Sequence, residues 1–123
     1  MITEDYVSFE TAKLLKENGF DGEDCFAFYK ENGEMGFLQT FGDITDFYSE
    51  TCIYAPTLQM AMKWLREVHK IHITMTVENN GNYIGYIYRT TGANIQGWDR
   101  RLSKTSYEEA AETVIKYCLE NLI

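Results

Sequence analysis

The chain has 123 residues, 45% of them hydrophobic and 15% aromatic, with one proline and a formal net charge of −8. That length and composition suit one folded α+β domain over residues 1–123 and argue against a disordered chain. The charge is uneven, with 12 acids and 3 bases in residues 1–50 against 7 acids and 8 bases in residues 51–123. An acidic half of this kind repels phosphate backbones and disfavours a nucleic-acid interface spread over the whole chain.

The N-terminal stretch Met1-Ile2-Thr3-Glu4-Asp5 lacks the basic start and apolar run of a signal peptide, and no apolar run reaches the ~18 residues of a membrane span. A cytoplasmic location with no membrane partner is expected. Cys25, Cys52 and Cys118 are odd in number and widely spaced, which fits reduced thiols better than a disulfide framework.

The first helix is expected to open at Ser8, whose hydroxyl suits an N-cap, with Val7 and Ala12 placed for a hydrophobic staple. Gly19 offers a left-handed stop, with Phe20 folding back onto Leu15. Residues 25–30 and 35–41 follow as strands. Asn32-Gly33 between them reads as a two-residue hairpin turn. That register sets Phe28 opposite Phe37 and Phe26 opposite Gln39, and gives Phe26, Phe28, Met35 and Phe37 one common core face. Residues 42–55 show no period and read as a loop with a short edge strand near Cys52–Tyr54.

Pro56 pre-sets φ for a second helix, in which Leu58, Ala61, Met62, Leu65 and Val68 form the apolar stripe. That helix is expected to end near His69-Lys70. Ile71, Ile73, Met75 and Val77 then alternate with polar residues as a half-buried strand. Asn80-Gly81 is the second expected turn, pairing Val77 with Ile84, Met75 with Tyr86, Ile73 with Tyr88 and His72 with Arg89. Residues 91–105 read as a long loop. Ser106-Tyr107-Glu108-Glu109 is a capping box that opens the last helix, with Tyr107, Ala110, Ala111, Val114, Cys118 and Leu122 on its apolar side. The expected architecture is α-β-β-α-β-β-α: a two-layer sandwich with one four-stranded antiparallel sheet and the helices packed on one face.

The run from Ala55 to His69, with Lys63-Trp64-Leu65-Arg66-Glu67-Val68-His69 at its centre, resembles small proteins encoded by phages and prophages of anaerobic gut bacteria. Ser8–Leu14, the strand after His69 and Ser106–Ala110 fit the same resemblance. It implies a mobile-element origin and a bacterial cytoplasm. It carries no activity and no functional residues.

Four groups of residues are candidates for function. Trp64, Arg66 and His69 make a protein-binding patch, because tryptophan and arginine dominate interface hot spots. Trp98, Arg100, Arg101 and Lys104 set cations beside an indole, which suits an anion or nucleic acid. A cysteine–histidine nucleophile would have to come from Cys25, Cys52 or Cys118 with His69 or His72. Asp43, Asp46 and Glu50 are spaced as hard-cation ligands but do not follow an EF-hand loop.

No cofactor fingerprint, metal motif or catalytic constellation is read. The leading expectation is a non-enzymatic accessory protein whose partner is another protein. A nucleic-acid accessory is the alternative, and a cysteine-dependent enzyme a weaker one. A homodimer through an exposed edge strand, or through a tyrosine-bearing outer face with Tyr29 and Tyr83, is a further option.

Overall fold

A computed structural model describes residues 4–22, 24–37, 52–79, 81, 84–92, 100–102 and 106–123. Among them the order is α1 (Phe9–Glu17), β1 (Ala27–Tyr29), β2 (Met35–Phe37), β3 (Ile53–Ala55), α2 (Leu58–Val68), β4 (His72–Asn79), β5 (Ile84–Thr91), β6 (Arg100–Leu102) and α3 (Tyr107–Asn121). The chain divides into two compact units, residues 1–57 and 58–123.

The class is α+β, but the strands do not make one four-stranded sheet. They form two antiparallel sheets, ordered β2-β1-β3 and β4-β5-β6. The third strand of each sheet comes from a stretch without alternation. β3 is the edge strand expected near Cys52–Tyr54, and β6 lies inside the stretch read as a loop. Three residues are too few to show a period of two, so β6 leaves no pattern in the sequence.

In the first unit, α1 has the ends its sequence implies. The Thr11 N–H donates to Ser8 Oγ at 3.2 Å. Gly19 takes φ +96°, and the Gly19 and Phe20 N–H groups donate to the carbonyls of Lys16 and Leu15 in a Schellman closure. Val7, Ala12 and Leu15 are wholly buried, as are Ala27 and Ala55 on the sheet.

The β1–β2 turn departs from expectation by one residue. Ala27 pairs with Phe37, Phe28 with Gly36 and Tyr29 with Met35. The Lys30 N–H donates to Glu34 O at 2.7 Å and the Gly33 N–H to Lys30 O at 2.8 Å, closing a three-residue loop. Only Gly33 has positive φ there, at +90°, whereas a two-residue type I′ turn needs it at Asn32 as well.

A one-residue slip exchanges the faces of a strand. Tyr29, expected on the outer face, stacks on Phe9 of α1 at 5.3 Å, and its hydroxyl donates to Val7 O at 2.7 Å. Phe28 is buried on the other face, over Gly36, while Phe26 and Phe37 are exposed. The expected common core face of Phe26, Phe28, Met35 and Phe37 does not form.

In the second unit the core is Leu58, Ala61, Met62 and Leu65 of α2, Ile71 and Tyr88, and Ala110, Ala111, Val114, Ile115, Cys118 and Leu119 of α3. Ser106 caps α3, its Oγ accepting from the Glu109 N–H at 3.1 Å. β4 and β5 pair over eight positions, with Ile73 opposite Thr90, Met75 opposite Tyr88, Val77 opposite Tyr86 and His72 opposite Thr91.

The expected β4–β5 register is two residues off, and a shift of two keeps every side chain on its face. Tyr86 and Tyr88 accordingly meet Tyr107 and Tyr117 of α3, at ring separations of 6.1 and 6.4 Å. Among the described residues, no helix is long and apolar enough to cross a membrane.

Candidate functional site

α2 presents three arcs. The Leu58, Ala61, Met62 and Leu65 arc is buried. At 100° per residue, Met60, Trp64 and Val68 follow one another at i, i+4 and i+8 and form the next arc. Met60 and Trp64 are half-buried, but Val68 is 57% exposed. Lys63, Arg66 and Glu67 make the third arc and are exposed, with Lys63 Nζ 4.0 Å from Glu67 in an i,i+4 pair.

Val68 thus leaves the core stripe to which its spacing assigned it. The reason lies at the helix end. Lys70 adopts φ +58°, the one positive φ among the described non-glycine residues. Its Nζ donates to Glu67 O at 2.9 Å. The reversal lets the Ile71 N–H donate to Leu65 O at 3.0 Å and drives Ile71 into the core, 1% exposed. Ile71 rather than Val68 is thus the buried apolar residue at the end of the helix.

Of the expected protein-binding trio, the structure brings two members together. Trp64 and His69 meet edge to face at 4.7 Å. Among the described residues His69 Nε2 is buried without a hydrogen-bond partner. Arg66 is exposed and lies roughly 200° round the helix from Trp64, so it belongs to the polar arc. Met60 and Val68, not Arg66, share the arc of Trp64. Their i, i+4, i+8 spacing with Trp64 was available in the sequence, but Val68 also satisfied the core stripe and was assigned there.

The second expected cluster is described only in part. Trp98 and Lys104 lie outside the described residues, as do Tyr83 and the candidate cation ligands Asp43, Asp46 and Glu50. Arg100 and Arg101 occupy consecutive backbone positions of β6, across from Tyr88 and Ile87.

The cysteines are free and buried. Burial, with Asp24 and Asp21 adding to it, pushes the Cys25 thiol up to about 12, and burial alone pushes Cys118 to about 12. A nucleophilic cysteine needs the opposite, a depressed pKa beside a cation or base. Cys25 and Cys52 also flank Tyr54, whose hydroxyl is pushed up by burial and then by those two thiols. A cleft of about 250 Å³ opens beside them, lined by Lys16, Phe20, Asp21, Cys52 and Tyr54. His72 is exposed at the start of β4 and faces Thr91, while Arg89 pairs with Thr74. Among the described residues, no group of three or more His, Cys, Asp or Glu side chains is placed to hold a metal ion.

Comparison with protein-family models, with curated proteins and with solved structures finds no match for this chain.

Proposed function

We propose that this is a non-enzymatic accessory protein of a mobile genetic element, cytoplasmic, which acts by binding another protein through the Met60–Trp64–Val68 face of α2. The observation that carries the reading is the 57% exposure of Val68 one turn beyond a half-buried tryptophan on the same arc. A branched apolar side chain held in water beside an indole loses nothing in the fold when covered, and its burial is worth roughly 1.5–3 kcal/mol to a complex. The partner that fits is a protein with an apolar hollow for Val68 and the Trp64 edge, and a rim able to meet Lys63 and Glu67. Burial, which pushes the Cys25 and Cys118 thiols up to about 12, argues against either of them as a nucleophile.

The test is affinity capture from host lysate with the wild-type chain, Val68→Lys and Trp64→Ala. Lysine at the last helical position suits the negative end of the helix and leaves the fold intact. A protein retained stoichiometrically by the wild type and lost by Val68→Lys, at unchanged melting temperature, supports the reading. The same set of proteins retained by all three chains rejects it.

A further inference from the structure

We infer that β4 is a self-association edge, through which two copies of this chain pair antiparallel about Met75 and join their β4-β5-β6 sheets. Among the described residues β4 pairs on one side alone, with β5. Edge strands are normally blunted by shortness, lysine, proline or a bulge. The other edge strands, β2, β3 and β6, have three residues each. β4 has eight, reads His-Ile-Thr-Met-Thr-Val-Glu-Asn, and holds an unbroken register with β5. It contains no lysine, proline or glycine. It also carries Val77, 58% exposed.

The occupant follows from the sequence of the strand itself. A two-fold axis normal to the sheet keeps each residue on its own face, so cross-strand partners must share parity. Centred on Met75, that symmetry sets Met75 against Met75, Thr74 against Thr76, Ile73 against Val77 and His72 against Glu78 of the second copy. β-branched apolar pairs and threonine pairs are combinations that stabilise antiparallel neighbours, and an imidazole opposite a carboxylate supplies a hydrogen-bonding pair. Met75 meets Met75 once, on the axis, each other pair occurs twice in the dimer, and the Ile73–Val77 pairs cover the exposed valine. A foreign peptide would gain the same backbone hydrogen bonds but has no reason to supply this side-chain match.

The test compares the wild type with Thr74→Lys/Thr76→Lys and Thr74→Glu/Thr76→Glu by sedimentation equilibrium, with circular dichroism and thermal melting to establish folding. Both threonines are exposed, so the substitutions leave the core alone. The inference expects a wild-type dimer, two monomeric variants in which like charges oppose each other, and recovery of a dimer when the two variants are mixed. A wild type that stays monomeric at its highest soluble concentration overturns it. So does a dimer that survives in both charged variants. If the variants melt early, amide exchange of the wild type decides. Protection of alternate β4 amides that rises with protein concentration supports the edge pairing, and protection independent of concentration overturns it.

Discussion

Gly36 stands opposite Phe28 in the β1–β2 ladder, and a Cβ at Gly36 would sit 2.6 Å from Cζ of the phenylalanine ring. The ring therefore lies across the glycine, and its burial depends on the space a missing side chain leaves. Gly36→Ala is expected to destabilise the protein by about 1–3 kcal/mol, since ring and backbone must both shift. Phe28→Leu, with a smaller end group, should cost less in the Gly36→Ala background than in the wild type. Urea denaturation of the two single variants and the double variant gives the coupling, and additive effects would contradict the contact.

That glycine also shows what could be read in the sequence. Both Asn-Gly pairs mark turns, because Gly33 and Gly81 carry φ +90° and +94°. The position of a turn was therefore legible. Its loop length was not, because a left-handed glycine serves a two-residue turn and a three-residue loop with a bulge equally well. In the second hairpin the error was two residues and harmless, and the alternation of Ile73, Met75 and Val77 held its face. In the first it was one residue, which left Phe28 buried but set Met35 opposite Tyr29 and Phe37 opposite Ala27. Gly36 is the signal that discriminates, since an aromatic side chain packs closely over a glycine and not over Phe37. Helix ends were legible throughout because caps are local, as at Ser8, Gly19 and Ser106. The separation of Arg66 from Trp64 follows from the helical angle alone, whereas the contact of His69 with Trp64 does not, because His69 lies past the last helical residue, Val68.

Lys70 holds a left-handed backbone at φ +58°, which costs an L-residue with a β-carbon roughly 1 kcal/mol relative to glycine. Its side chain offsets part of that cost by donating to Glu67 O. Lys70→Gly is expected to raise stability by a few tenths of a kcal/mol to about 1 kcal/mol, and Lys70→Val to lower it by more, because branching at Cβ is worst tolerated there. Thermal melts of both variants check the sign. A melting temperature that falls in Lys70→Gly would mean that the side-chain bond outweighs the backbone strain.

The buried thiols predict a pH dependence with one direction. Cys25 and Cys118 are pushed up to about 12, above the ordinary thiol value near 9. Below pH 9 both the folded and unfolded chains keep these protons, and the thiols contribute no pH dependence. Between about pH 9 and 12 the unfolded chain loses protons that the folded chain retains. Stability then falls as pH rises, by up to roughly 1.4 kcal/mol per pH unit for each thiol. Urea midpoints measured from pH 8 to 11 should decline, and the decline should be shallower in Cys118→Ala. Over the same range, thiol-directed alkylation should be slow in the native protein and rapid once it unfolds.

His69 Nε2 is buried with no hydrogen-bond partner among the described residues, while the ring packs edge to face on Trp64 at 4.7 Å. An unsatisfied buried polar atom costs about 1–3 kcal/mol, and phenylalanine keeps a flat ring there without that atom. His69→Phe is therefore expected to raise the melting temperature and to retain the aromatic contact, seen as a tryptophan emission close to that of the wild type. His69→Ala, which loses the contact as well, should lower it. The pair also bears on binding. If the Met60–Trp64–Val68 face is the docking surface and His69 supplies only the ring edge that steadies Trp64, His69→Phe should capture the partner as well as the wild type does. If the imidazole nitrogen itself meets the partner, His69→Phe should be more stable yet bind more weakly, and calorimetry alongside the capture experiment separates the two outcomes.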